Sequence, residues 1–392
     1  MKRFSAQFIF TVSGQPLKRG IITTDDNGTI LDVEDTEGET TESAGIEFYN
    51  GIIVPGFINC HCHLELSHLK DFIGPSKGLG EFIMQVRNSR GNIPEARIFS
   101  EASTEDENMY REGIVLCADI CNSSDTFGIK KNSRIQYLNL LEVFGIDPAK
   151  ADKRLSEVLK LSEDADRNGL EWTIVPHSAY SVSLPLFRKL KEKTIKNRVT
   201  SVHFMECRDE SVFLSDQSGP LKTSYESSGL MPANVQMVED HITAILDEIT
   251  RSGNLILVHN TYTDLVTIKK VMKRGNVFWC LCPGSNLHIE NNWPPVDLLR
   301  SEGCDITTGT DSLASNNKLS ILGEMIKLQE HFPSIPLEEL AQWATINGAR
   351  ALGKDEIFGT IEPGKKPGLV LLENIDLINL KLRHETTARR LI

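Results

Sequence analysis

Eight runs of apolar residues recur along the chain, separated by longer stretches whose apolar positions fall three and four apart. The runs are FINCHCH (57–63), IVLCADI (114–120), IQYLNLLEVF (135–144), WTIVPHS (172–178), VTSVHFM (199–205), LILVHN (255–260), VFWCLCP (277–283) and DITTGTD (305–311). Short continuous runs of this kind read as strands covered on both faces. Between most of them the spacing predicts helices with one buried face, at 150–168, 184–196, 236–252, 262–274 and 320–331. Eight strands alternating with helices over roughly 250 residues point to an α/β fold of the (β/α)8 TIM barrel kind. An open α/β sheet shares this periodicity and stays as the alternative.

The chain ends have a different pattern. RFSAQFIFTV, GIITT and TILDVED alternate like strands, and the last two flank Asp25-Asp26-Asn27-Gly28, where Asn-Gly signals a hairpin. GTIEPGKKPGLVLLENIDL (359–377) is again strand-like with a Gly/Pro turn. Neither end alone can bury a two-sided sheet, so residues 1–54 and 355–392 are expected to build one small β-sandwich domain beside a catalytic domain at 55–354. Two stretches exceed an ordinary connection. Residues 70–112 carry an extra helix, and the polar segment 208–235 reads as a long loop of the lid or binding type.

Composition adds limits rather than a function. A net charge of -12 disfavours general attraction to nucleic acid or to an anionic membrane. The N-terminal apolar patch is broken by Ser5, Gln7 and Thr11 before it reaches signal-peptide length, and no run approaches the roughly 18 apolar residues of a membrane span. The eight cysteines lie in apolar runs, which fits reduced, buried thiols and a cytoplasmic location.

The candidate chemistry gathers at strand ends. On a strand, residues two apart face one way, so His61 and His63 share a side while Cys60 and Cys62 face the surrounding helices. That pair alone leaves metal binding and core packing both open. His177, His203, His259 and Asp311 also close apolar runs, at the end where barrel enzymes place their chemistry. The remaining histidines, His68, His241, His288, His331 and His384, read as surface or loop residues. Three imidazoles and a carboxylate suit Zn2+ or Fe2+ with one open position, whereas oxygen ligands alone would suggest Mg2+ or Ca2+. Glu206, three residues after His203, reaches the same mouth and suits a proton shuttle, although in isolation it reads as a solvated helix carboxylate. Asp119 and Glu142 end apolar runs and can orient ligands; Ser312 and Asn316 are placed to shape the turn that presents Asp311.

The segments PGFINCHCHLELS, VPHSAYSVS, SVHFMECRDE, LVHN, CPGSN, TTGTDSLASN and ATINGARALG…GTIEPGKKPG, in this order, resemble the amidohydrolase superfamily in its deaminase and chlorohydrolase branch. The likeness runs from about residue 20 to 373 and is similar to aminofutalosine, S-adenosylhomocysteine and cytosine deaminases. It implies a distorted barrel with a small β-sandwich from both ends. By the same resemblance His61, His63, His203 and Asp311 hold one divalent metal, Zn2+ or alternatively Fe2+; the fourth run ends without the lysine that binuclear relatives carboxylate. The resemblance further implies that His259 polarises the attacked centre, that Glu206 carries the proton, that His177 contacts substrate, and that Glu81 binds ribose hydroxyls. In VPHSAYS the family's Ala and Pro are replaced by Ser178 and Ala179.

The implied reaction is deamination of an aminopurine nucleoside-like or other amino-heterocyclic small molecule by metal-activated hydroxide, with Asp311 accepting the water proton and ammonia leaving. Hydrolysis of a cyclic amide or a carbon–chlorine bond is the rival within enzymes. A non-catalytic barrel scaffold is the rival outside them, and the retained ligands and Glu206 argue against it. Homodimers are common among related enzymes.

Overall fold

The computed structural model describes residues 1–392 except 40–44, 76–77, 91–92 and 233–239. The chain opens with β1 (Lys2–Ile9), β2 (Leu17–Lys18), β3 (Ile21–Thr24), β4 (Ile30–Glu34) and β5 (Ile46–Pro55). Then β6 (Phe57–Cys62) precedes α1 (Leu79–Arg90) and α2 (Glu95–Arg111), β7 (Ile114–Cys121) precedes α3 (Phe127–Asn132), and β8 (Gln136–Val143) precedes α4 (Ala151–Asn168). Next come β9 (Trp172–Pro176) with α5 (Leu184–Thr194), and β10 (Val199–Phe204) with α6 (Glu210–Asp216), α7 (Pro220–Ser227) and α8 (His241–Glu248). They are followed by β11 (Asn254–His259) with α9 (Leu265–Met272), and by β12 (Val277–Leu281) with α10 (Pro283–Glu290) and α11 (Val296–Ser301). Last are β13 (Asp305–Thr308) with α12 (Ile321–His331), α13 (Leu337–Ala344) and α14 (Ile346–Ala351), then β14 (Leu369–Glu373) and β15 (Thr387–Arg390).

Every one of the eight apolar runs forms a strand. They make two four-stranded parallel sheets, β6-β7-β8-β9 and β10-β11-β12-β13. Burial explains the unbroken apolar pattern: all eight residues of β7 are buried, because its two faces meet different cores. One core lies between the sheets and takes Ile58, Ala118, Leu140, Val258 and Cys280 from successive strands. The other lies under the helices and takes Cys117, Leu141, Leu257 and Trp279. At the N-terminal strand ends α14 closes the inner core, with Asn254 reaching the Arg350 carbonyl at 2.7 Å. The sheets meet edge to edge through isolated parallel bridges, Ser178 with His203 and Cys62 with Asp311. The architecture is therefore barrel-like, with regular ladders that stop at two seams.

Strands from both chain ends share one further sheet, ordered β15-β14-β5-β1-β3-β4 with β2 on β1. The expected hairpin is present, β3 pairing antiparallel with β4. A sandwich was expected, yet these strands form a single sheet. Its two faces are both covered: Phe4, Ile22, Ile53 and Leu371 build a small core of their own, while Ile52, Val54 and Leu372 join the helix-side core. That second face is satisfied by the barrel-like body, so no second sheet is required to bury it.

Other departures have local causes. Segment 208–235 was read as a loop, but its described part holds α6 and α7. Gly219, at φ 89, and Pro220, in the first turn, start α7. Residues 70–112 hold two helices, α1 and α2, where a single β–α connection needs one, so the extra helix expected there is present; the helix expected over 236–252 is seen as α8, with 236–239 outside the described residues. Cys60 and Cys62 do not share a face. The β6–β7 register shifts between Asn59 and Cys62, so Cys60 joins the core between the sheets and Cys62 the helix-side core. His68 is buried rather than superficial.

One close approach ties the fold to the strand-end histidines. A Cβ added at Gly309 would sit 2.8 Å from His61 Cβ and 2.9 Å from Cys280 Sγ. Gly309→Ala is expected to destabilise the protein by about 1–3 kcal/mol through overpacking, read as a lowered urea midpoint at unchanged m-value.

Candidate metal centre

The two seams are where the chemistry-bearing residues meet. At one, the His61 carbonyl accepts the N–H groups of Thr310 and Asp311, each at 3.0 Å, and His63 N–H reaches the Asp311 carbonyl at 3.4 Å. At the other, the His177 carbonyl accepts His203 N–H at 2.8 Å and its Nδ1–H at 3.0 Å. Strand edges that would otherwise lack partners are thereby joined by the backbones of the residues whose side chains converge. His259 and Asp311 adopt left-handed backbone, φ 75 and 56, which non-glycine residues rarely do. Such strain persists where the surroundings over-determine it, and it favours a functional role at these two positions.

The side chains converge closely. His61 Nε2 and His63 Nε2 are 3.1 Å apart, and Asp311 Oδ1 is 3.6 Å from the first and 3.3 Å from the second. Zinc–ligand distances of about 2.0–2.1 Å put tetrahedral corners roughly 3.3–3.4 Å apart, so these three edges suit a shared ion. His61, His203 and His259 each offer a nitrogen within 4.8 Å of the others. The Nδ1–H of His203 is spent on the His177 carbonyl, which leaves its Nε2 lone pair for ligation. Burial, reinforced by His177 and the other histidines, pulls the His203 pKa well down, and burial lowers His177 to about 3. These rings are therefore neutral at physiological pH, the form that binds metal. For Asp311 burial acts upward, but the His61 contact and the neighbouring imidazoles hold its pKa well below the usual range. Its Oδ2 accepts hydrogen bonds from Ser285 Oγ at 2.5 Å and Ser315 Oγ at 2.8 Å, so Oδ1 is the oxygen left facing His61 and His63. The donor set fits a divalent ion of the zinc type.

Glu206 is buried, not solvated. Its Oε2 accepts the Tyr180 hydroxyl at 2.6 Å, while Oε1 lies 3.6 Å from His259 Nε2. Burial pushes its pKa up to about 8; the Tyr180 bond opposes this, and the charges of Asp311 and Glu290 add to it. A carboxyl of this kind holds a proton near neutrality. His259 donates Nδ1–H to Asn286 Oδ1 at 2.9 Å, Asn286 returns its Nδ2 to the His259 carbonyl at 3.3 Å, and burial lowers the imidazole's pKa. Its Nε2 therefore presents a lone pair toward Glu206.

Of the residues singled out by sequence, His61, His63, His203, His259, Asp311 and Glu206 are brought together, and His177 stacks on His203 with centroids 4.4 Å apart. His177 Nδ1 is engaged by the Ser178 and Ser181 hydroxyls. Glu81 stands apart from this group, exposed in the first turn of α1 and bonded to Gln85, along a groove shared with α7. Glu142 lies 3.7 Å from His203 Nδ1. Asp119 supports more remotely: it accepts Leu64 N–H at 2.8 Å, just past His63, and pairs with buried Lys130. Asn316 holds the Thr310 carbonyl at 2.9 Å, as its place in the turn suggested. Sequence reasoning gave no role to Ser285, Asn286, Ser315 or Tyr180. Ser285 and Asn286 stand in CPGSN and Tyr180 in VPHSAY, segments noticed for their likeness and not for their side chains.

The family model for the amidohydrolase family matches residues 52–388. A protein from Helicobacter pylori named adenosine deaminase is 26% identical over 343 residues, spanning 82% of this chain and 79% of that protein. Among solved structures, Helicobacter pylori aminofutalosine deaminase in complex with methylthio-coformycin matches with TM-score 0.79 at 22% identity, over 96% of this chain and 93% of that one. Atrazine chlorohydrolase from Arthrobacter aurescens TC1, complexed with zinc, matches with TM-score 0.72 at 16% identity, over 94% and 86%.

Chelator-stripped protein is expected to take up one Zn2+ per chain, measured by elemental analysis after gel filtration. His61→Ala and Asp311→Ala are each expected to weaken zinc binding by more than the roughly 10–100-fold that loss of a supporting contact costs.

Proposed function

The chain belongs to the amidohydrolase family, and on that premise we propose that it is a metal-dependent deaminase releasing ammonia from an aminopurine nucleoside-like substrate. The observation that carries this reading is the pairing of a buried His/Asp cluster with a buried carboxyl, Glu206, whose pKa is raised to about 8. An amino-heterocycle has two needs in such a reaction, a nucleophile at the carbon bearing the amine and a proton for the ring nitrogen beside it. Similarity to a protein named adenosine deaminase supports the adenosine-like class of substrate.

We assign His61, His63, His203 and Asp311 as ligands of one ion, Zn2+ in preference to Fe2+. That ion supplies the Lewis acidity that makes water a nucleophile at neutral pH. Asp311 takes a proton from the attacking water, its carboxylate held in place by Ser285 and Ser315. His259 accepts a hydrogen bond from the same water at Nε2, and any positive charge it gathers then polarises the attacked centre. Glu206, protonated at Oε1 and fixed at Oε2 by Tyr180, delivers its proton to the ring nitrogen. The new carbon–oxygen bond forms, the remaining hydroxyl proton passes through the now ionised Glu206 to the amine, the carbon–nitrogen bond breaks to release ammonia, and the proton held by Asp311 returns to Glu206. His177 contacts the substrate from beside His203, and Glu81 binds ribose hydroxyls at the rim. On the same reading the two parallel sheets are a distorted eight-stranded barrel within a catalytic domain at 55–354, with 1–54 and 355–392 as a small β domain. The protein acts in the cytoplasm, and a homodimer is the assembly we assign by analogy with related enzymes.

Zinc-loaded protein assayed against adenosine, 5'-methylthioadenosine, S-adenosylhomocysteine, free aminopurines and aminopyrimidines is expected to release ammonia from at least one nucleoside. Silence across the panel, with chloride or a ring-opened acid formed from other substrates, would replace this reading with the hydrolytic one. Glu206→Gln is expected to retain zinc and lose about 10²–10⁴-fold in kcat. Because the protonated carboxyl is the working form, kcat/KM should fall as pH rises through its pKa. A nearby cation lowers that value, so this alkaline limb is expected at or below about 8 in the wild type.

A further inference from the structure

We propose that Glu324 is a positioning residue that ties the turn around Asp311 to the first turn of α10, whose Ser285 and Asn286 hold Asp311 and His259. This rests on the reading of the His/Asp cluster as a zinc centre. Glu324 sits on α12 and is completely buried. Its Oε2 accepts Gly284 N–H at 2.7 Å, and its Oε1 accepts Asn316 Nδ2 at 2.9 Å and Lys327 Nζ at 2.8 Å. Two of these three partners lie outside its own helix, on separate segments.

Each of those segments leads directly to the site. After Gly284 come Ser285, bonded to Asp311 Oδ2, and Asn286, bonded to His259 Nδ1. Asn316 uses the same amide nitrogen to hold the Thr310 carbonyl, the residue before Asp311. One carboxylate therefore fixes both the strand-end turn that carries Asp311 and the segment that orients Asp311 and His259 from the other side. The packing leaves no slack: a Cβ at Gly284 would fall 2.7 Å from both the Asn316 side chain and Glu324 Oε1. Asp311 and His259 are the two site residues held in left-handed backbone, φ 56 and 75, a conformation that needs outside support to persist.

The chemistry of the three donors selects a carboxylate. A backbone N–H, an amide NH₂ and an ammonium all point at Glu324, and only an acceptor-only group satisfies all three. A glutamine keeps the volume but turns one NH₂ toward a donor, so one arm of the clamp is lost while the fold is retained. The Lys327 arm is partly exposed and leads nowhere in the site, which makes it the control.

The test compares Glu324→Gln and Lys327→Met with the wild type. Zinc affinity is measured by chelator competition, thermal unfolding by melting temperature, and kinetics on whichever nucleoside releases ammonia. Glu324→Gln is expected to lose on the order of tenfold or more in zinc affinity and in kcat, with KM within about twofold because substrate contacts are untouched. Lys327→Met should leave zinc affinity and kcat near wild type while lowering the melting temperature, because the buried Glu324 carboxylate loses its counter-charge. A Glu324→Gln protein with wild-type zinc affinity and kcat, changed only in melting temperature, would reduce Glu324 to a structural residue and overturn the proposal. If Glu324→Gln does not fold, Asn316→Ala removes one arm alone, and wild-type zinc affinity in that variant overturns the proposal equally. Zinc affinity is independent of substrate, so absence of deamination would defeat the functional reading and leave this result to be judged on its own.

Discussion

Lone pairs crowded into a buried space must be reconciled by a positive charge, and the arrangement of the whole C-terminal strand end follows from that. His61 Nε2 and His63 Nε2 face each other at 3.1 Å with Asp311 Oδ1 beside them, while burial keeps His177, His203 and His259 neutral. Two such nitrogens meeting lone pair to lone pair repel unless a proton or a cation lies between them. A shared divalent ion resolves all the contacts together, whereas a proton resolves one pair. The donors come from both sheets. The ion would thus join the two halves of the barrel-like body at the seams where their ladders stop.

The same enclosure divides labour between two carboxyl groups. Asp311 is surrounded by imidazoles and receives two serine hydroxyls, so its ionised form wins despite burial. Glu206 is equally buried but has one hydroxyl partner and acidic neighbours, so its protonated form is favoured. Unequal surroundings set an acceptor and a donor of protons on either side of one space, the pattern expected of acid–base chemistry at neutral pH. Glu210 adds to it. Buried, with its own pKa pushed up to about 8 by burial and by Glu206, it accepts the Glu206 backbone N–H and so holds the turn that carries Glu206.

Support for the site is layered outward and is mostly neutral hydrogen bonding. Hydroxyls and amides of Ser285, Asn286, Ser315 and Asn316 hold Asp311 and His259, and the charge behind them, Glu324, is neutralised at the edge by Lys327. On the β6 side Asp119 fixes Leu64 N–H, immediately after His63, and is balanced by Lys130. These two buried carboxylates thus each have a lysine partner, and their remaining hydrogen bonds are directed at segments next to His63 and Asp311.

Much of this was readable without coordinates. Eight apolar runs became eight strands because strands buried on both faces must be apolar throughout, and histidines at the ends of such runs stand out from their surroundings. The strand alternation argument held for His61 and His63 but failed for Cys60, because a register shift is set by pairing with β7 and leaves no mark in β6 itself. Segment 208–235 was misread for a similar reason: in a polar sequence a Gly-Pro pair begins a helix as readily as it breaks one.

Sequence by itself determined the order of the eight parallel strands, the barrel-like class and the identity of the chemical groups, since these depend on local periodicity and residue type. Tertiary structure alone decided which groups share a space, which oxygen of Asp311 and of Glu206 faces it, and why one carboxyl is charged and the other protonated. Those properties depend on burial and on partners as distant in the chain as Ser285 is from Asp311 or Tyr180 from Glu206, and no local pattern encodes a distance between remote segments.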